Sequence, residues 1–238
     1  MAYGLVLAGG IGKRMGSEIP KQYLRIHGKA IISYTVKEFI ENPNIEKVLV
    51  LVPEDWINYT NGIFDSDFGL EEKLLVIQGG ELRNDTIMNG IKYIKEHFDY
   101  DDNTVVVTHD AVRPFVTQRI INDNIAALEK YTACDTVVPA TDTIVESMSH
   151  EIISDIPNRA NLYQGQTPQS FRLTKFEELY NSLTEEEKEI LTDAAKVFVI
   201  KGEEVGLVEG DGSNIKVTYP SDLDLARSLL GIRERAQD

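Results

Sequence analysis

Tyr3-Gly4-Leu5-Val6-Leu7-Ala8-Gly9-Gly10-Ile11-Gly12-Lys13-Arg14-Met15 is an apolar run that breaks into glycines and then delivers two cations, and Pro20-Lys21-Gln22 follows shortly after it. A strand that opens into such a loop suits a polyphosphate. Glycines let backbone N–H groups approach phosphate oxygens with no Cβ in the way, and Arg14 and Lys21 supply charge once water is displaced. Pro20 fixes the chain immediately before Lys21, so that lysine is placed rather than merely solvated. Residues 1–30 hold Lys13, Arg14, Lys21, Arg25 and Lys29 against Glu18 alone, a local charge of +4 in a chain whose formal charge is −15, so the remaining residues carry −19. The loop is an electrostatic exception. Gly9-Gly10-Ile11-Gly12 by itself also marks ordinary tight turns: it lacks the Gly-Lys-Ser/Thr of a Walker A loop and the full G-x-G-x-x-G of dinucleotide folds.

Outward from this strand, short β-branched runs alternate with helical patterns, the signature of an α/β fold with a mostly parallel sheet. Strands are expected at Tyr3–Leu7, Lys47–Val52, Leu74–Gln78, Thr104–Thr108 and Thr136–Pro139. Helices are expected near Ala30–Glu41, Leu82–His97 and Thr117–Tyr131, where apolar residues recur at three- and four-residue steps. The stretch from Glu54 to Leu70 mixes Trp56, Tyr59, Phe64 and Phe68 with Asp and Gly and shows no clear period. Thr143-Ile-Val-Glu146 and Ile152-Ile-Ser-Asp155 flank the polar turn Ser147–Glu151 and read as an extended β-hairpin arm. Two strands alone are marginal in water, so residues 141–171 are expected either to meet a second subunit or to fold back on their own domain. Beyond Phe171 the pattern is helical again. Thr184-Glu-Glu-Glu187 forms a capping box ahead of Ile190 and Leu191, and Ser221 is the expected N-cap of a last helix with Asp222 and Asp224 in its first turn. No repeat or linker-like run interrupts the chain, so residues 1–238 are expected to form a single domain with 141–171 as an inserted arm.

A chain of 238 residues with 42% hydrophobic content can bury one substantial core. A pI near 4.7 argues against sequence-independent binding to nucleic acid or an anionic membrane, both of which need broad basic surface. The one cysteine, Cys134, cannot form an internal disulfide, which fits a reducing compartment, and its flanks make it a small core residue rather than a nucleophile. No charged leader precedes a long apolar stretch, and no segment approaches the ~18 apolar residues of a membrane span, so a soluble, cytoplasmic protein is expected.

Ligands of open α/β sheets bind at the carboxyl ends of the strands, which selects the residues to weigh. Those ends carry the glycine loop, Gln78-Gly-Gly-Glu-Leu-Arg-Asn-Asp-Thr86 and Thr108-His-Asp-Ala-Val-Arg-Pro114. Asp110, after three valines, suits a hard cation such as Mg²⁺, or else accepts backbone hydrogen bonds in the next loop. His109 reads as an orienting or packed residue, and Arg113 as the partner of an acid beneath the sheet. Pro157–Phe171, holding Arg159, Thr167 and Gln169, reads as too polar for a core and too rich in amides for an ordinary loop. Lys216, in Asn214-Ile-Lys-Val-Thr218, would share one face of a strand with Asn214 and Thr218, and taken alone reads as an exposed lysine.

At these clusters the sequence resembles the cytidylyltransferases that join a sugar-alcohol phosphate to CMP. Leu-Ala-Gly-Gly-x-Gly-x-Arg-Met with Pro-Lys-Gln, Gly-Gly-x-x-Arg-Asn-Asp-Thr, Thr-His-Asp-Ala-Val-Arg-Pro-Phe, Gln-Thr-Pro-Gln and Asn-Ile-Lys-Val-Thr match in order across essentially the whole chain. Tyr163-Gln-Gly-Gln-Thr-Pro-Gln-Ser-Phe171, Asn84-Asp-Thr86 and Asp142-Thr-Ile-Val145 look like the ribitol-5-phosphate branch of teichoic acid synthesis. The alternatives are the 2-C-methyl-D-erythritol 4-phosphate branch of isoprenoid synthesis and a CTP-binding sensor or scaffold without turnover. Thr192-Asp-Ala-Ala195 departs from similar ribitol enzymes, which have cysteine where this chain has Ala195.

The resemblance implies a Rossmann-like, nucleotidyltransferase-type sheet and a reaction giving CDP-ribitol and pyrophosphate with Mg²⁺ or another divalent cation. It implies a CTP site from Leu7, Ala8, Gly9, Gly10, Gly80, Glu81, Arg83, Asn84, Thr86 and Ala111, with Arg14 and Lys21 stabilising the transition state. Arg159 and Lys216 would position the acceptor phosphate, with Thr167 and Thr192 beside the polyol. Arg159 would come from the partner of a homodimer joined through the arm, and a ribulose-5-phosphate reductase is the further partner it suggests.

Overall fold

The structure, a computed structural model, describes residues 1–10, 15–16 and 19–235. In chain order these include β1 (Ala2–Leu7), the two-residue strands β2 (Arg25–Ile26) and β3 (Lys29–Ala30), α1 (Ile31–Ile40), β4 (Lys47–Val52), α2 (Ile57–Phe68), β5 (Leu74–Gln78) and α3 (Arg83–His97). They continue with β6 (Val105–Asp110), α4 (Gln118–Ala127), β7 (Ala133–Pro139), β8 (Tyr163–Arg172), α5 (Leu173–Asn181), α6 (Glu185–Glu189), α7 (Ala194–Ile200), β9 (Val205–Glu209) and α8 (Pro220–Arg235). The main sheet has the order β5-β4-β1-β6-β8-β7-β9. Each neighbouring pair is parallel except those made by β8, which runs antiparallel to both β6 and β7. The mostly parallel sheet read from the alternating pattern is therefore borne out.

Side-chain alternation along β1 feeds two cores. Ala2 and Val6 face one layer with Val36 and Phe39 of α1, Ile63 of α2 and Ile120 of α4, while Tyr3 and Leu5 face the other with Ile87, Ile91 and Ile94 of α3 and Phe176 of α5. Gly4 lets α1 close onto the sheet, because a Cβ there would lie 2.7 Å from the Phe39 ring. A third cluster, with Ile26, Phe115, Val217 and Leu230, anchors α8.

Several expectations need correction. Thr167–Phe171, read as too polar for a core, is the buried half of β8; Gln169 is 3% exposed and Ser170 fully buried. Their polar groups are satisfied in place: the Ser170 hydroxyl donates to Asn124 at 2.9 Å, and the Ala194 N–H donates to the Gln169 amide oxygen at 3.1 Å. β9, inside a region read as helical, is a further strand. The unclear stretch is a 3₁₀ turn running into α2, with Trp56 stacked on Tyr23 and Tyr59 edge-on to both. The capping box of Thr184 and Glu187 forms, yet α6 stops before Ile190. Ser221 is not the cap of α8: Asp222 accepts the backbone N–H groups of Thr218 and Tyr219, both at 2.8 Å, and Pro220 opens the helix. The expected hairpin is reduced to one antiparallel bridge, Glu146 with Asp155, on an arm whose Met148, Ile152, Ile153 and Ile156 are all more than half exposed. Cys134 is a buried free thiol whose pKa burial pushes up to about 12, in keeping with a core residue.

Candidate active site

β1 is flanked by β4 and β6, so the chain builds the sheet one way from β1 and then crosses to the other side, leaving a crevice at the carboxyl ends of β1 and β6. A cavity of about 410 Å³ opens there. Leu7, Ala8, Gly9 and Gly10 form one wall, and Gly80, Glu81, Arg83 and Thr86 a second. Asp110 and Ala111 come from the end of β6, Lys21 from a 3₁₀ turn, and Lys216 from the segment before α8. Twelve of the residues singled out from sequence thus meet on one rim.

A Cβ on Gly9 or Gly10 would meet nothing within 4 Å, so these glycines are not needed to fold the loop; what they leave is open room above the backbone. Gly80 differs. A Cβ there would fall 2.5 Å from the Asp85 Cβ and 2.7 Å from the Asp85 carbonyl carbon, so glycine lets the β5–α3 loop press on the first turn of α3. The Gly80 N–H donates to the Thr86 hydroxyl at 3.0 Å, and that hydroxyl donates to the Leu82 carbonyl at 2.9 Å. The N-terminus of the fifteen-residue α3 faces the cavity with Arg83 as its first residue, an arrangement that favours an anion.

Lys21 is buried, and its ammonium donates to the Val217 carbonyl at 2.8 Å, tying the turn after Pro20 to the Lys216 segment. Gln22, given no role from sequence, donates to the Ala8 carbonyl at 2.7 Å and fixes the same turn against β1. Its signal was its place in Pro-Lys-Gln.

Asp110 is the electrostatic centre. Its side chain is 8% exposed and meets Arg83, Lys216 at 2.8 Å and Arg113 at 3.7 Å. Burial alone would raise its pKa, but Arg83, Lys216 and Arg113 outweigh burial and hold the carboxyl well below the usual range. Arg113 therefore pairs with an acid as expected, and that acid is Asp110 itself; it also donates to the Asn214 carbonyl at 2.8 Å. His109 is fully buried, with Nε2 3.1 Å from the Arg113 carbonyl, and burial pushes its pKa down to about 4, so it stays neutral and acts as packing. Lys216 is not on an alternating strand: 214–218 is irregular, Asn214 is buried, and the lysine bends to Asp110.

The other named residues lie elsewhere. Thr167 sits behind Asp110, accepting its N–H at 3.2 Å. Asn84 is buried in α3 outside the cavity lining. Thr192 is exposed beside Asp193. Arg159 is exposed at the base of the arm, donating to the Thr141 carbonyl at 2.8 Å, and does not reach the cavity of its own chain. Arg14 lies outside the described residues. A second cavity, of about 810 Å³, adjoins the first through Lys216 and includes Arg113, Gln166, Asn214 and Thr141.

For Mg²⁺, no group of three or more His, Cys, Asp or Glu that could hold a metal occurs among the described residues. Asp110 could serve as a single protein carboxylate beside a cation carried chiefly by phosphate oxygens, the usual manner for Mg²⁺ in nucleotide sites, once the bound phosphates draw Arg83 or Lys216 away from its oxygens. Among the described residues, no helix is long and apolar enough to cross a membrane.

The chain as a whole resembles known proteins in sequence and in fold. The family described as IspD, 2-C-methyl-D-erythritol 4-phosphate cytidylyltransferase, matches residues 3–232. The chain is 48% identical to the ribitol-5-phosphate cytidylyltransferase of Streptococcus pneumoniae serotype 2 (strain D39 / NCTC 7466) over 232 residues, 97% of this chain and 99% of that protein. Among solved structures, the 2-C-methyl-D-erythritol 4-phosphate cytidylyltransferase of Francisella tularensis superposes with a TM-score of 0.78 at 29% identity, covering 94% of this chain and 97% of its own. The 4-diphosphocytidyl-2C-methyl-D-erythritol synthase of Anaerococcus prevotii shares the fold, with a TM-score of 0.79 at 23% identity and coverage of 97% and 96%. With the family model matching residues 3–232 and a relative 48% identical over 97% of the chain, the chain belongs to the IspD family of cytidylyltransferases.

Proposed function

We propose that the protein transfers the cytidylyl group of CTP to D-ribitol 5-phosphate, releasing pyrophosphate and forming CDP-ribitol for poly(ribitol phosphate) synthesis. The observation that carries this reading is the convergence of Lys21, Arg83 and Lys216, from three distant segments, on a cavity whose glycine wall leaves room for a triphosphate. The choice of ribitol follows the name of the 48% identical relative.

The acceptor phosphate oxygen attacks the α-phosphorus of CTP in line. That phosphate is already ionised near neutral pH, so catalysis needs positioning and charge stabilisation rather than a strong base. Lys21, Arg83 and the start of α3 hold the triphosphate, with Arg14 adding charge from the glycine loop. Lys216, at the junction of the two cavities, lies where a second anion can be held against the first. Asp110 would hold the divalent cation, which when bound shields the charges of the triphosphate. Arg159, exposed on the arm, is assigned to the active site of a second copy in a homodimer, where it joins Lys216 on the acceptor phosphate. The exposed isoleucines of the arm support that assembly. A reductase acting on ribulose 5-phosphate is the enzyme class that supplies the acceptor.

Pyrophosphate release from CTP, compared for ribitol 5-phosphate and methylerythritol 4-phosphate, tests the reading. Preference for ribitol 5-phosphate is the expected result. Preference for the branched substrate would assign the isoprenoid reaction instead, and tight CTP binding without release would leave a sensor or scaffold.

A further inference from the structure

The backbone that carries Lys216 belongs to neither a strand nor a helix, yet the ammonium at its end stands 2.8 Å from Asp110 on β6. An irregular segment has no ladder of its own to hold it, so its aim depends on bonds made from outside. Val217, after the lysine, is bonded twice: its N–H donates to the Val112 carbonyl at 2.9 Å, and its carbonyl accepts from the Lys21 ammonium at 2.8 Å. Before the lysine, the anchor is Asn214.

Asn214 is fully buried, and its carbonyl accepts from Arg113, which in turn pairs with Asp110. Its side-chain NH₂ donates to the Thr167 carbonyl at 2.8 Å and to the Gln166 amide oxygen at 3.2 Å, both on β8. The partners dictate which way each amide is turned. A carbonyl can only accept, so the NH₂ of Asn214 faces Thr167, and Gln166 donates its own NH₂ to the Asp211 carbonyl at 2.9 Å, which leaves its oxygen for Asn214. Gly210 lets the loop close over this pair, because a Cβ there would lie 2.5 Å from the Gln166 oxygen. Two side-chain amides thus clip residues 210–214 onto β8.

The clip is poorly chosen for stability alone. The Asn214 Oδ1 is buried and accepts nothing among the described residues, so the residue carries the desolvation cost of an unmet acceptor that an apolar side chain of similar size would avoid. What asparagine adds is two directed N–H bonds that set the course of the chain two residues before Lys216. Asn214, Gln166 and Lys216 also line the same larger cavity, so the clip forms part of the wall from which the lysine projects.

We infer that Asn214 is a positioning residue for the acceptor: its side-chain amide, bonded to Thr167 and Gln166, fixes the backbone from which Lys216 reaches the acceptor phosphate. The inference rests on the assignment of Lys216 to that phosphate under the proposed function. Asn214 touches no substrate and acts only through the lysine, so its removal has a consequence that a merely structural role does not: the effect on the acceptor disappears once Lys216 is gone.

The test is a double-mutant cycle read by titration calorimetry, with D-ribitol 5-phosphate titrated into protein saturated with α,β-methylene CTP, which cannot be cleaved at that bond. Asn214→Ala should raise the Kd for ribitol 5-phosphate by about 10-fold, the scale of a lost buried hydrogen bond, and leave the Kd for the nucleotide within about two-fold. In the Lys216→Ala background the same substitution should change the acceptor Kd by less than about two-fold. Gln166→Ala removes one of the two bonds from a half-buried position and should show the same pattern at about three-fold; it decides the matter if Asn214→Ala does not fold. Misfolded material lowers the measured stoichiometry and leaves Kd unmoved, so it does not mimic the result. Equal weakening in both backgrounds, equal weakening of nucleotide and acceptor, or an unchanged acceptor Kd overturns the inference. Lys216→Ala with a wild-type acceptor Kd overturns it together with the role given to Lys216. A wild-type protein that binds methylerythritol 4-phosphate more tightly overturns the choice of acceptor alone, and the cycle is then read with that substrate.

Discussion

Replacing Asp110 with asparagine keeps the side chain's shape and removes the carboxylate on which Arg83, Arg113 and Lys216 converge. Lys216 is 43% exposed, so its pairing is screened and its loss costs little. Arg113 is only 11% exposed and Arg83 25%, and both would be left as desolvated cations beside each other. Removing one partner of a buried pair costs about 3–5 kcal/mol, and the partial exposure of Arg83 places this case near about 3 kcal/mol. For a chain of 238 residues the melting entropy is about 0.5 kcal/mol per kelvin, so the Tm should fall by roughly 6 °C. Inorganic phosphate should recover more Tm for the variant than for wild type, because an anion then replaces the lost charge. Turnover should fall as well, since Lys216 loses its 2.8 Å anchor. Scanning calorimetry with and without phosphate reads all but the last. A drop below about 2 °C, or equal protection of both proteins by phosphate, would refute the placement of Asp110 as the neutralising centre.

Three further outcomes are expected. Lys21→Ala should lower kcat by about 10²- to 10³-fold, by analogy with removal of a preorganised oxyanion donor, and normal turnover in steady-state assays would sink its role. His109 is held neutral by burial, with a pKa near 4 against an ordinary 6.5. Between those values the unfolded chain binds a proton the native one does not, so stability is intact above about pH 6.5 and is lost as pH falls towards 4, by up to about 3 kcal/mol. Urea denaturation should show a flatter pH dependence for His109→Gln across that window, and an unchanged slope would contradict it. Gly80→Ala should cost about 1–3 kcal/mol in thermal unfolding and raise the KM for CTP, because the new methyl meets Asp85 in the first turn of α3; an unchanged KM would mean that this turn does not shape the site.

The parallel half of the fold was legible because its strands are buried on both faces and read as unbroken apolar runs, as in Val105-Val-Val107. β8 was not. Its buried residues include Thr167, Gln169 and Ser170, whose fitness for the interior depends on Asn124, Asn214 and Ala194, partners far away in sequence. Composition prices such a stretch as surface because the hydrogen bonds that offset its burial cannot be seen locally. The arm misled in the opposite direction. Its two β-branched runs around a polar turn read as a hairpin, yet only one bridge forms among the described residues, and Ile152, Ile153 and Ile156 stay exposed.

The site divides along the same line. Gly9, Gly80 and Lys21 announce themselves through local chemistry: glycine where a backbone must be approached, and proline ahead of a cation that must be placed. Lys216 and Asp110 were separately ambiguous, an exposed lysine and an acid that might only cap a loop. Their meanings appear when β6 and the segment before α8 bring them to 2.8 Å. Residues that bind a ligand's common part, the phosphates, are thus recognisable by type. Those that act through partners distant in sequence, as Lys216 and Asp110 do, become legible only once the fold has brought them together.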